Sequence, residues 1–146
     1  MQIRDIMTQN VRYLPPSTSL QEAAKCMKEL DCGFLPIGDD QQDRLMGVVT
    51  DRDITIRAVA EGFSPSGTTI DEIKTNRVLY CFQDDDVEDV VENMRLEQLY
   101  RLVVLNNPRE KRLCGVVSLG DVMRHHGASV NLVGKAAEGI TSKQAA

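Results

Sequence analysis

Leu20, Ala23, Ala24 and Met27 stand at i, i+3, i+4 and i+7, a spacing that lines apolar side chains along one face of a helix. Val87, Val90, Val91 and Met94 repeat that spacing. Each stripe predicts one amphipathic helix. A short extended segment precedes each, around residues 11–14 and 78–81. After each come two runs with the apolar and β-branched character of strands, at 34–37 and 45–49, then at 102–105 and 113–117. Residues 39–43 and 106–111 carry the turn formers expected between paired strands. A second helix, from 51 to about 61 and from 119 to about 126, closes each half. The predicted order is β-α-β-β-α, twice.

The letters repeat as well as the pattern. A shift of 67 sets Ile3 on Ile70, Ile6 on Ile73, Thr8 on Thr75, Met27 on Met94 and Leu35 on Leu102. One extra residue in the second half moves the shift to 68, which sets Gly47, Val48, Val49 and Asp53 on Gly115, Val116, Val117 and Asp121. The chain is a tandem duplication. A half of about 70 residues is marginal alone, and a small sheet with helices on one face leaves its other face uncovered. The expectation is therefore an α+β fold of two repeats packed with pseudo-twofold symmetry. The repeats are placed at 1–62 and 68–127, joined by a linker at 63–67 inside EGFSPSGTT, with a tail at 128–146 left as a helical turn or a frayed end.

Composition narrows the classes. Hydrophobic residues make up 42% and charged residues 27% of 146 positions, which fits a folded globular chain and argues against global disorder. The net charge of −5, with no long cluster of Lys and Arg, argues against a nucleic-acid partner. MQIRDIMTQN lacks the apolar run of a signal peptide and nowhere do about 18 apolar residues stand together, so no membrane role and a cytoplasmic location are expected. Cys26, Cys32, Cys81 and Cys114 form no C-x-x-C pair and are read as reduced, mostly buried thiols rather than zinc ligands or disulfides.

Two stretches raise the question of chemistry. GVVTDRD, starting at Gly47, and GVVSLGD, starting at Gly115, each run from strand into helix with a hydroxyl three places before an acid. Thr50-x-x-Asp53 and Ser118-x-x-Asp121 are also capping-box patterns, and capping alone could explain either. Together with MTQNVRYLPPSTSLQEAA and CGFLPIGDD, two such motifs in register make the chain resemble a CBS domain pair, the Bateman module, over about residues 1–126. The second half departs from the family pattern at Val103, where the first has Pro36.

That resemblance implies a cleft between the halves holding AMP, ADP, ATP, NAD or S-adenosylmethionine. It also implies that the aspartate takes both ribose hydroxyls, while the Ser/Thr hydroxyl and helix start meet phosphate; a carboxylate does offer two acceptor oxygens to a vicinal diol. Carried over by position, one pocket joins Thr50 and Asp53 to Lys74, Leu79, Tyr100 and Arg101. The other joins Ser118 and Asp121 to Met7, Arg12, Cys32 and Gly33. Lys74 and Arg101 stand where the second pocket has Met7 and Phe34, so the Thr50/Asp53 pocket is expected to take the more highly phosphorylated ligand, unless both cations are only solvated surface charges.

The remaining candidates read as structure. Asp84, Asp85 and Asp86 precede the Val87 stripe and suit a helix start better than a metal. His125 and His126 follow the last helix, and Met7, Met27, Met46, Met94 and Met123 are expected to fill core. Arg57 is left open between phosphate and solvent. No nucleophile–base pair is visible. The expected function is a non-catalytic sensor that needs no cofactor, takes AMP or another adenosine nucleotide as regulatory ligand, forms a homodimer and signals to an unknown effector protein. Ile54, Ala58, Val59, Val122 and Met123 are its candidate dimer contacts, with core packing within the module as the other reading. The alternative function is a dimerisation module with vestigial pockets; an enzyme acting on nucleotides is the third.

Overall fold

The computed structural model describes residues 1–39, 41 and 43–125. Its chain forms two compact units: Arg12–Val78 is one, and Met1–Val11 together with the chain from Leu79 onward is the other. The order of elements is a 3-10 turn Ile3–Asp5, β1 Thr8–Gln9, α1 Leu20–Leu30, β2 Phe34–Asp39, β3 Arg44–Thr50 and α2 Asp51–Asp53, which runs on as a π-helix Ile54–Val59. A second 3-10 turn Ile70–Glu72 is followed by β4 Tyr80–Phe82, α3 Val87–Glu97, β5 Arg101–Leu105, β6 Leu113–Ser118 and α4 Leu119–Arg124. The mixed helix-and-strand composition and the doubled order are those expected from the sequence.

In the unit that contains β6, four strands lie in the order β1-β6-β5-β4, with β4 parallel to β5 and the other pairs antiparallel. In Arg12–Val78, β2 and β3 form an antiparallel hairpin with an irregularity at Ile37/Gly38. Single bridges extend the hairpin on both sides, Leu14 to Ile37 in parallel and Thr75 to Val48 antiparallel. The two sheets are the same plan at different lengths.

The opening segment of each repeat serves the sheet of the other. Thr8 pairs with Val116 and Thr75 with Val48, positions equivalent under the duplication. The same exchange holds around the helices. Ile3 N donates to Asp85 O and Val87 N to Met1 O, at 2.9 and 3.0 Å, while Ile70 N donates to Thr18 O and Leu20 N to Thr68 O, at 2.8 and 2.9 Å. These backbone bonds complete groups that each helix start would otherwise leave unpaired.

Each unit has its own core. Val87, Val90, Val91 and Met94 of α3 are all buried, against Ile3, Leu102, Val104 and Val117 among others. On α1 the stripe is phased differently from the expectation: Leu20, Ala23, Cys26 and Met27 are buried, and Ala24 faces out. Cys26 packs beside Met27 where a straight i+4 count from Leu20 chose Ala24. Both helices end on a left-handed residue, Asp31 at φ 51° and Gln98 at φ 57°.

The acidic run divides its labour. Asp84 pairs with Arg4, Asp85 Oδ2 accepts from Phe82 N at 2.8 Å, and Asp86 caps α3 by accepting from Glu88 N at 2.9 Å. Two methionines depart from the core assignment. Met27 and Met94 are buried, but Met46 and Met123 are exposed at strand and helix positions that face outward. Of the candidate contact residues, Ala58 and Val122 are core and Ile54 packs against core, whereas Val59 and Met123 are exposed. His125 lies in the turn after α4; His126 and the 128–146 tail fall outside the described residues. Among the described residues no helix is long and apolar enough to cross a membrane.

Candidate functional site

The two strand-to-helix turns have one construction. Asp51 N donates to Gly33 O and Leu119 N to Tyr100 O, both at 3.0 Å, so the residue just before the first strand of each hairpin fixes where the second helix begins. Thr50 and Ser118 then act as N-caps in full capping boxes. Each box needs a hydroxyl, two intervening residues and an acid, which is why that spacing recurs.

In Arg12–Val78, Asp53 N donates to Thr50 Oγ1 and Thr50 N donates to Asp53 Oδ2, both at 3.0 Å. The Thr75 hydroxyl donates to the same carboxylate, 3.3 Å from Oδ2 and 3.5 Å from Oδ1. Arg57 Nε stands 3.7 Å from Oδ1, while its Nη1 donates to the carbonyls of Ile73 and Lys74 at 3.3 and 3.2 Å. The Lys74 ammonium is paired with Asp71. Asp53 is only 8% exposed, so a charged group is kept here on cap, hydroxyl and guanidinium alone.

The other unit repeats the arrangement with a tighter closure. Ser118 N and Ser118 Oγ both donate to Asp121 Oδ2, at 2.8 and 2.9 Å, and Asp121 N donates to Ser118 Oγ at 3.2 Å. Arg124 Nη2 donates directly to Asp121 Oδ1. Asp121 is 6% exposed.

Glycines bring the exchanged segments close. A β-carbon on Gly47 would fall 3.0 Å from Lys74 Cδ and 3.1 Å from Thr75 O; one on Gly115 would fall 2.7 Å from Thr8 O and 2.9 Å from Met7 Sδ. A β-carbon on Gly33 would fall 2.4 Å from Asp51 Oδ2. At Gly115 the obstacle is backbone, so glycine is what permits the approach, whereas at Gly47 and Gly33 the nearest atom belongs to a side chain.

The expected pocket residues thus sort by unit. Thr50, Asp53, Lys74 and Gly33 lie around one turn in Arg12–Val78, and Arg12 and Cys32 belong to the same unit. Ser118, Asp121 and Met7 lie around the equivalent turn of the other unit, which also contains Leu79, Tyr100 and Arg101. Arg12, Tyr100 and Arg101 are exposed, and Leu79 is partly buried against its core. Sequence reasoning missed Thr75 and Arg124. Arg124 follows Asp121 by three places and Arg57 follows Asp53 by four, spacings that bring acid and base together on a helix and were there to be read. No local signal marks Thr75, which lies 22 residues from Asp53.

Around β1 a cavity of about 490 Å³ is lined by Arg4, Asp5, Met7, Gln9, Asn10, Gln83 and Cys114. Burial pushes the Cys114 thiol up, and Arg4 pulls it the other way. All four cysteines are free, Cys26 and Cys81 buried and the other two half-buried. Among the described residues no three His, Cys, Asp or Glu side chains converge as a metal set.

Comparison with known proteins points one way. The family model described as the CBS domain matches residues 3–59 and 70–127. Hypoxic response protein 1 of Mycobacterium tuberculosis is 37% identical over 123 residues, 84% of this chain and 82% of that protein. The crystal structure of the CBS domain pair of protein MJ0100 in complex with 5'-methylthioadenosine and S-adenosyl-L-methionine is similar with a TM-score of 0.74 at 28% identity, over 87% of this chain and 96% of that one. The crystal structure of CBSX2 in complex with AMP is similar with a TM-score of 0.72 at 25% identity, over 86% and 95%.

Proposed function

Since this chain belongs to the CBS domain family, with two tandem repeats, we propose that it is a non-catalytic regulatory module that senses an adenosine-containing ligand through Asp53 and Asp121. The observation that carries the reading is the doubled acid. Each unit holds one carboxylate nearly buried at a strand-to-helix turn, and relatives of the same architecture hold AMP or S-adenosyl-L-methionine. A carboxylate's two oxygens suit the paired hydroxyls of a ribose. The Thr50 hydroxyl accepts from Asp53 N and keeps its own proton to donate to a phosphate or ribose oxygen. AMP is the first ligand to try, with ADP, ATP and NAD beside it.

Occupancy becomes a signal by changing conformation or oligomeric state, in the proposed case of a cytoplasmic homodimer that presents its exposed Val59 and Met123 to a partner copy or effector protein. A second reading, an assembly module whose pockets are vestigial, has one observation in its favour: both carboxylates already complete their own capping boxes.

A thermal-shift panel separates the two. A ligand at about 100 times its dissociation constant adds about 2.7 kcal/mol and raises the melting temperature by several degrees. The sensor reading expects that rise with at least one adenosine ligand and its loss in Asp53→Ala or Asp121→Ala. No rise with any ligand at millimolar concentration leaves the assembly reading in possession.

A further inference from the structure

The two acid turns are equivalent under the duplication but their arginines are not: Arg57 follows Asp53 by four places and Arg124 follows Asp121 by three, and the two are engaged differently. At Asp53, the arginine that follows is drawn aside: its Nη1 is committed to the carbonyls of Ile73 and Lys74, and its Nε stays 3.7 Å from Oδ1. At Asp121, among the described residues, no carbonyl holds Arg124 as those of Ile73 and Lys74 hold Arg57. Arg124 closes on Oδ1 with a direct hydrogen bond, and the Ser118 hydroxyl turns its proton onto Oδ2, where the Thr50 hydroxyl only accepts. One carboxylate keeps an oxygen loosely engaged, and the other has both oxygens closed.

We infer that Arg124 is a latch on Asp121, so that an adenosine ligand fills the Asp53 turn first and reaches Asp121 only after the guanidinium lets go. The inference rests on the adenosine reading. A vicinal diol needs both carboxylate oxygens as acceptors, so a ribose and the Arg124 guanidinium compete for Oδ1. The Arg124 side chain is 67% exposed, so it can swing into water once released. A pair exposed on one side is worth little, and the latch is accordingly weak: it sets the order of filling without closing the second site. In Arg12–Val78 the anchoring carbonyls hold Arg57 to the Ile73–Lys74 segment, so Arg57 braces that segment instead of covering the acid.

Calorimetric titration of the full chain with adenosine and with AMP tests the latch. Asp53→Ala leaves Asp121 as the acid to be titrated, with Asp53→Asn replacing it should the alanine lower the melting temperature. Adding Arg124→Ala to that background is expected to tighten adenosine about two- to fivefold. Arg57→Ala in an Asp121→Ala background is expected to give no such gain. Unchanged adenosine affinity with weaker AMP overturns the latch and makes Arg124 a phosphate contact. An equal gain from Arg57→Ala overturns the asymmetry. If neither wild type nor any variant binds adenosine or AMP, the adenosine reading falls and the latch with it; if only the Arg124→Ala chains bind, the latch stands in a stronger form.

Discussion

The carbonyl oxygen of Thr8 stands 2.7 Å from where a β-carbon on Gly115 would lie. Backbone cannot yield as a side chain can, so one strand or the other must shift. Gly115→Ala is expected to cost about 1–3 kcal/mol in urea unfolding, as overpacking of a tight site does. Gly47→Ala should cost less, because its nearest neighbour is the flexible Lys74 side chain at 3.0 Å, with the Thr75 carbonyl at 3.1 Å. Equal midpoints for Gly115→Ala and wild type would contradict the close approach.

The capping boxes predict stability effects that need no ligand. Thr50→Ala and Ser118→Ala each remove the acceptor for the acid's own N–H, at a cost of about 0.5–2 kcal/mol. Thr50→Ser should recover most of that loss, since the hydroxyl is what caps. Denaturant midpoints of the three variants in nucleotide-free buffer check both statements.

The phase of α1 is open to direct test. Ala24 is exposed and Cys26 is 3% exposed. Ala24→Gln should lie within about 0.5 kcal/mol of wild type, while Cys26→Gln, which forces an amide into the core, should cost about 1–3 kcal/mol or more. The reverse ranking would restore the straight i+4 stripe.

Alkaline pH should destabilise the protein through Cys81. Burial first, and then Asp85, push this thiol from 9.0 to about 12. Between those values the unfolded chain gives up a proton that the folded chain keeps, so stability is intact below pH 9 and falls as pH rises toward 12. Cys26 and Cys114, both raised chiefly by burial, act in the same direction. Urea midpoints at pH 8 and pH 10 should fall more steeply for wild type than for Cys81→Ala, and iodoacetamide at pH 8 should label Cys81 only after unfolding.

What could be read from the letters was whatever repeats or alternates. The Val87 stripe, the paired strand runs and the two capping boxes have their own periodicity, and each is where it was expected. β1 was not legible, because two residues, Thr8 and Gln9, show no period and owe their strand to Gly115 and Val116. Nor was the π-helix Ile54–Val59, whose wider turn no residue pattern in that segment marks. At the candidate site the acids and hydroxyls were readable by spacing, but the different engagement of Arg57 and Arg124 depends on the carbonyls of Ile73 and Lys74, which no pattern around Asp53 announces.

The exchange of opening segments also sets a timetable for synthesis. Thr8 leaves the ribosome about a hundred residues ahead of Val116, the residue it pairs with. At roughly 5–20 residues per second the segment waits several seconds, unpaired, while Arg12–Val78 emerges whole and is free to fold. The core that the waiting segment's apolar residues, Ile3 and Ile6, share with Val117 is complete only once the last strand has been made.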